Sequence, residues 1–224
     1  MNLAAQIDHT LLRPDCTEAQ IIQLCEEAAA HGFAAVCVPP CYVALAATRL
    51  ENTAVGICTV IGFPLGYAAS SAKFKEAEVA LYDGATELDM VINISALKSG
   101  KAEAVQAEIL DLADLCHVHQ AVLKVIIETA LLSEEEIVLA CQLCVGGEAD
   151  FVKTSTGFAS RGASVADVEL LRRSLPKTVR IKAAGGIRTR EAALALVAAG
   201  ADRIGSSNSL ALIAETNEPT AAQA

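Results

Sequence analysis

Short apolar runs rich in Val, Ile and Leu alternate with longer amphipathic stretches along nearly the whole chain. That order predicts strands of a parallel sheet joined by helical crossovers. A strand-like opening, Ile7–Leu12, leads through Pro14 to a helix over Glu18–His31, with Thr17 as N-cap and Gly32 as its stop. Phe33–Val38 reads as a strand ended by Pro39-Pro40, and Tyr42–Leu50 as a helix. Next come strand Val55–Gly62, the loop Phe63–Gly66, helix Ser70–Tyr82, the turn Asp83-Gly84 and strand Glu87–Ile94. A long helix from about Lys101 to Cys116 precedes strand Ala121–Glu128, and Ser133-Glu134-Glu135-Glu136 opens a helix with a capping box. Ala149–Gly157 is a strand and the loop leaving it, and Ala163–Leu175 is a helix ended by Pro176. Strand Val179–Ala183 runs into Gly185-Gly186, helix Thr189–Ala199 is closed by Gly200, and strand Asp202–Gly205 precedes a short helix starting at Ser206-Ser207.

Eight strands in one chain of 224 residues predict a single-domain closed (β/α)8 barrel over residues 1–214, with a frayed polar tail at 215–224. The rival, a doubly wound open sheet, lacks the Gly-x-Gly-x-x-Gly turn after its first strand.

Within the strands one parity is apolar: Leu88, Met90 and Ile92; Leu123, Val125 and Ile127; Val179, Ile181 and Ala183. Those side chains are expected under the helices. The other parity carries Glu87, Asp89, Lys124, Glu128, Lys153, Arg180 and Lys182, which must pair inside the barrel or reach its open mouth. Asp89, Lys124, Lys153 and Lys182 recur at spacings of 35, 29 and 29 residues. That is about one βα unit each, so successive strands can bring one carboxylate and three lysines into one cavity. A structural ion network is the plain reading. The chemical reading is an amine nucleophile: neighbouring ammonium groups and desolvation disfavour a lysine's charged form, and Asp89 can relay protons. Schiff-base chemistry on a carbonyl compound follows, with the iminium as electron sink for an adjacent carbon–carbon bond. Gly185-Gly186 and Gly205-Ser206-Ser207 follow strands seven and eight, the slots where this barrel type commonly holds phosphate.

Composition narrows the setting. A net charge of -10 with no long basic stretch argues against nucleic acid as a partner, although local lysines and backbone amides can still bind a small anion. No run of 18 apolar residues predicts a membrane span, and the N-terminus lacks the pattern of a signal peptide, so a cytoplasmic place is expected. The eight cysteines are expected to be reduced and mostly buried; Cys141/Cys144 and Cys116-His117-Val118-His119 are metal suspects without completing ligands, and no metal is expected. The 53% hydrophobic content is compatible with a homodimer.

With these residues in view the chain resembles the deoxyribose-phosphate aldolases, a class I aldolase family. The resemblance rests on Ile7–Leu12, Glu87–Asn93, Leu123–Thr129, Lys153-Thr154-Ser155-Thr156-Gly157, Ile181–Thr189 and Gly205–Ser207, and so covers almost the whole chain. It implies reversible cleavage of 2-deoxy-D-ribose 5-phosphate to acetaldehyde and D-glyceraldehyde 3-phosphate, in deoxynucleoside catabolism, with no metal or organic cofactor. It also implies roles: Lys153 forms the Schiff base, Lys182 tunes it, Asp89 relays protons and Lys124 positions water or Asp89. Asp8, Thr10 and Thr156 would belong to the substrate pocket, and Gly157, Gly185, Gly186, Ser206 and Ser207 would bind the phosphate. Two departures stand out. Arg161 and Ser164 replace a glycine and a threonine common in the family, and Arg161 can bind phosphate or sit on the surface. The tail has no terminal tyrosine to assist proton transfer, which implies slower enolisation or a water in its place. The alternatives are another sugar-phosphate Schiff-base aldolase, an isomerase of similar layout, or a non-catalytic phosphate-binding barrel.

Overall fold

The computed structural model describes residues 2–214. Eight parallel strands close into a barrel in chain order: β1 (Ile7–Thr10), β2 (Ala35–Val38), β3 (Gly56–Ile61), β4 (Glu87–Val91), β5 (Val122–Ile126), β6 (Phe151–Lys153), β7 (Arg180–Ala184) and β8 (Arg203–Ser206). Helices cover it: α1 (Glu18–His31), α2 (Val43–Leu50), α3 (Ser70–Tyr82), α4 (Ile94–Lys98), α5 (Ala102–Val118), α6 (Glu134–Gly146), α7 (Val165–Ser174), α8 (Arg190–Ala198) and α9 (Ser209–Ile213). The short α4, capped by the Asn93 side chain on Ala96 N, was not expected. It takes the chain out of β4 three residues earlier than the apolar run suggests, because Asn93 supplies the acceptor that starts a helix there. Thr17 is the expected N-cap, here within a capping box with Gln20, Ser133 forms the expected capping box, and Gly32 closes α1 at φ +65°. The predicted tail, 215–224, lies outside the described residues.

The outward parity packs as expected. Leu88, Met90, Leu123, Val125, Val152, Ile181 and Ala183 are buried in one apolar layer between strands and helices. The barrel interior divides into two halves. On β2 and β3 it is apolar, with Ala35, Cys37, Cys58 and Val60 packed beside Leu12 and Phe63. From β4 round to β1 it is charged: Glu87, Asp89, Lys124, Lys153, Lys182, Arg203 and Asp8. Such a core stands only if the charges compensate one another.

The stagger of the strands sets which levels meet. Asp89 lies opposite Lys124 and Lys153 opposite Lys182, but Lys124 faces Phe151, two residues below Lys153. The four side chains therefore start from two levels and converge by reach. Arg180, expected inside, is exposed at the lower rim with its guanidinium 4.0 Å from the centre of the Phe151 ring. It opens β7 at the end of the barrel away from the mouth, where a cation keeps its water while its planar face covers the ring.

Candidate active site

A cavity of about 310 Å³ opens over the C-terminal ends of β6, β7, β8 and β1. Its floor is Lys153, and its walls include Thr10, Thr156, Gly157, Gly185, Gly186, Ser206 and Ser207. Of the four residues expected to carry the chemistry, Lys153 alone lines this space; Asp89, Lys124 and Lys182 lie fully buried beneath it.

Asp89 is the hub. Its Oδ2 accepts from Lys153 Nζ and Lys182 Nζ, each at 2.7 Å, and its Oδ1 accepts from Lys124 Nζ at 2.8 Å. The Cys58 thiol also reaches Oδ1, at 3.2 Å. Burial alone would raise the pKa of Asp89, but the ammonium groups of Lys124, Lys153 and Lys182 outweigh it and hold the carboxyl well below its ordinary range. Lys182 has a second carboxylate, Asp8 Oδ2 at 2.5 Å, and Asp8 Oδ1 pairs with Arg203 at 2.5 Å. Lys124 adds Glu87 at 2.6 Å. Asp8 thus belongs to the ion network below the cavity and does not line it.

This geometry corrects one expectation. Crowded lysines were read as lowering one another's pKa. Burial does push Lys182 and Lys124 down, but Asp8 and Asp89 outweigh it and raise both, with Glu87 adding to the rise at Lys124. Those two lysines are fixed cations. The carboxylates of Asp8 and Glu87, uncounted in the spacing argument, make the difference.

Two groups of side chains among the described residues have ligand atoms close enough for a cation: Cys37, Cys58 and Asp89, and Asp8, Cys58 and Glu87. Neither is a group suspected from sequence. The Lys124 ammonium already lies against both, 2.8 Å from Asp89, 2.6 Å from Glu87 and 3.3 Å from Cys58. Cys141 and Cys144 are free thiols buried on α6, and His117 pairs with Asp150 at the surface.

The loops beyond β6 and β7 fit closely because they lack side chains. Gly157, Gly185 and Gly186 take φ of +87°, +87° and +75°, a region favouring glycine. A Cβ on Gly185 would lie 3.0 Å from Gly162 Cα and 3.3 Å from Gly157 Cα. Thr156 is held from behind by Glu128, whose Oε2 accepts its N–H at 3.0 Å and also its hydroxyl. Among the described residues, the N–H groups of Gly157, Gly186 and Ser207 donate to no protein acceptor. Free backbone amides beside a cavity can bind an anion. Arg161 does not join it: its guanidinium pairs with Asp167 and donates to Thr129 O at 3.1 Å, and Ser164 caps α7.

The profile of the DeoC/LacD family aldolases matches residues 3–210. The chain belongs to that aldolase family. It is 50% identical over 212 residues to the deoxyribose-phosphate aldolase of Geobacillus sp. strain WCH70, covering 95% of each chain. To that of Rhodospirillum rubrum it is 52% identical over 215 residues, covering 96% of this chain and 90% of the other. Among solved structures, the tetrameric deoxyribose phosphate aldolase of Aeropyrum pernix superposes with a TM-score of 0.89 at 38% identity, over 94% of this chain and 88% of that one. The family is the one the sequence resemblance names, and no helix among the described residues is long and apolar enough to cross a membrane.

Sequence reasoning assigned no role to several cavity residues: Leu11, Leu12, Arg13, Phe158 and Arg188. All follow a strand by a few residues, and that position is itself the signal, since loops after the strands of this barrel build its sites. Glu128 was expected on the interior parity; at φ +54° it turns out of β5 toward the next loop instead.

Proposed function

We propose that this aldolase reversibly cleaves 2-deoxy-D-ribose 5-phosphate to acetaldehyde and D-glyceraldehyde 3-phosphate through a Schiff base on Lys153. One observation carries the proposal: Lys153 is the one cluster amine open to the cavity, and it shares the Asp89 carboxylate with the buried Lys182. The cluster holds four cations, Lys124, Lys153, Lys182 and Arg203, against three carboxylates, Asp8, Glu87 and Asp89.

The Lys153 amine adds to the C1 aldehyde, and loss of water leaves the iminium. The C2–C3 pair then flows into the iminium as an enamine, while the C3 hydroxyl gives up its proton and becomes the aldehyde of glyceraldehyde 3-phosphate. Protonation of the enamine carbon and hydrolysis release acetaldehyde and restore the amine. Asp89, hydrogen-bonded to both Lys153 and Lys182, supplies the path along which protons pass, and Lys124 holds Asp89 from the other side. The iminium is the electron sink, so this route calls on no metal or organic cofactor. The substrate phosphate is read onto the amides of Gly157, Gly186 and Ser207, with Gly185 and Ser206 shaping the turns and Thr10 and Thr156 facing the sugar. We place the enzyme, as one domain, in deoxynucleoside catabolism in the cytosol and as a homo-oligomer, in line with the tetramer described for the Aeropyrum pernix relative.

Borohydride trapping with acetaldehyde, followed by peptide mapping, tests the reading. A stable two-carbon adduct on Lys153, absent from Lys153→Ala, is expected. An isomerase needs no imine, so a wild type without an adduct on any lysine would remove the aldolase mechanism and leave an anion-binding site.

A further inference from the structure

His9 lies on β1 between Asp8 and Thr10 but faces the opposite way, out of the barrel interior, and is 4% exposed. Its Nδ1 is 2.9 Å from Ser209 Oγ, and its Nε2 is 2.7 Å from Glu27 Oε2 on α1. Gln23 donates to the other Glu27 oxygen at 2.7 Å, and Phe33 packs against the imidazole at 5.2 Å between centroids. The Glu27–His9–Ser209 series has the order of a hydrolytic triad. Ser209 is fully buried and does not line the cavity above β6–β8 and β1, so it has no access to a substrate there.

What Ser209 does touch is the end of β8, where the chain enters the next loop. Its Oγ lies 3.0 Å from the carbonyl oxygen of Ser206, the residue that pairs with His9 across β1 and β8. Ser206 Oγ in turn donates to Ile187 O at 2.9 Å and accepts from Asn208 N at 3.0 Å, and Asn208 Nδ2 donates to Arg188 O at 3.1 Å. The loops after β7 and β8 are therefore tied together through Ser206 and Asn208.

Ser209 has one hydroxyl hydrogen, and the geometry assigns it to the Ser206 carbonyl, which can only accept. His9 Nδ1 must then donate to Ser209 Oγ. The 2.7 Å Nε2–Glu27 contact then holds a second proton, against the burial that lowers the His9 pKa and with the pull of the Glu27 carboxylate. We infer that His9 is a positioning residue for the loop Gly205–Ser207: anchored by Glu27, it donates through Nδ1 to Ser209 and thereby leaves the Ser209 hydroxyl free to hold the Ser206 carbonyl. The inference rests on reading that loop as part of the phosphate cradle.

Three variants of the full chain separate this role from simple packing. An asparagine amide nitrogen reproduces Nδ1 of histidine, whereas a glutamine amide nitrogen reproduces Nε2. Ser209→Ala and His9→Gln each lose one hydrogen bond in the chain and should raise KM for 2-deoxyribose 5-phosphate about fivefold. His9→Asn should keep KM near the wild-type value. For 2-deoxyribose without phosphate, and for acetaldehyde trapping on Lys153, Ser209→Ala should stay within about twofold of wild type, since neither reaction uses the phosphate loop. Equal behaviour of His9→Asn and His9→Gln would overturn the inference, as would an equal loss for phosphorylated and unphosphorylated sugar. Titration with inorganic phosphate stands apart from the chemistry: Ser209→Ala should weaken its Kd about fivefold. Equal phosphate affinity in both proteins sinks the His9 inference, whereas failure of imine trapping in the wild type sinks only the aldolase mechanism.

Discussion

Asp89→Asn isolates the energetics of the charged half of the barrel. In the wild type one carboxylate receives three ammonium groups at 2.7–2.8 Å, all in side chains no more than 3% exposed. The substitution keeps the shape and removes one negative charge. Lys124 retains Glu87 at 2.6 Å, and Lys182 retains Asp8 at 2.5 Å. Lys153 loses its one ion pair, and the cluster goes from four cations against three carboxylates to four against two. Leaving a buried charge uncompensated costs about 3–5 kcal/mol. Urea unfolding followed by circular dichroism at pH 7.5, at one protein concentration, reads that loss as a lower midpoint with an unchanged slope. The loss should shrink toward alkaline pH, because the variant's surplus is relieved when a lysine sheds its proton. Adding Lys182→Met to Asp89→Asn restores the original excess of one cation, so the double variant should be at least about 1.5 kcal/mol more stable than the sum of the single losses predicts. A loss below about 1 kcal/mol for Asp89→Asn, or strict additivity with Lys182→Met, would refute compensation as the basis of this core.

Two further outcomes follow from the same coordinates. Asp8 has its pKa lowered from 3.8 to about 2: burial opposes the shift, and Lys182, Lys124 and Arg203 together overcome it. Its stabilisation is complete above pH 4 and disappears as pH falls through about 2, a total on the order of 2 kcal/mol. Urea midpoints between pH 5 and 2.5 should therefore fall more steeply for the wild type than for Asp8→Asn, and parallel profiles would count against the assignment. Among the glycines, a Cβ at Gly162 would lie 2.0 Å from Gly185 O, whereas one at Gly186, at φ +75°, meets nothing within 4 Å. Gly186→Ala should cost about 1–2 kcal/mol from its left-handed backbone alone. Gly162→Ala should cost more and also raise KM by displacing the Gly185 turn; the reverse order in urea midpoints would contradict the packing described.

Much of this protein is written locally. Strand and helix alternate with periods carried by neighbouring residues, and caps such as Thr17 and Ser133 act within four positions, so both are legible in the chain. The recurrence of Asp89, Lys124, Lys153 and Lys182 once per βα unit places them on one parity of successive strands, and the glycine turns after strands seven and eight mark the end where the cavity opens. Closure of the barrel decided the rest. It brought Asp8 from the first strand and Arg203 from the last against Lys182 and Glu87, and so turned a group of lysines expected to depress one another into fixed cations around a lone cavity-facing amine. The stagger that set Lys124 opposite Phe151 has no counterpart in sequence spacing. Nor does the partner of Arg161, found six residues on and across a loop. Periodicity is a property of one segment; charge compensation is a property of which segments meet, and only the closed sheet determines that.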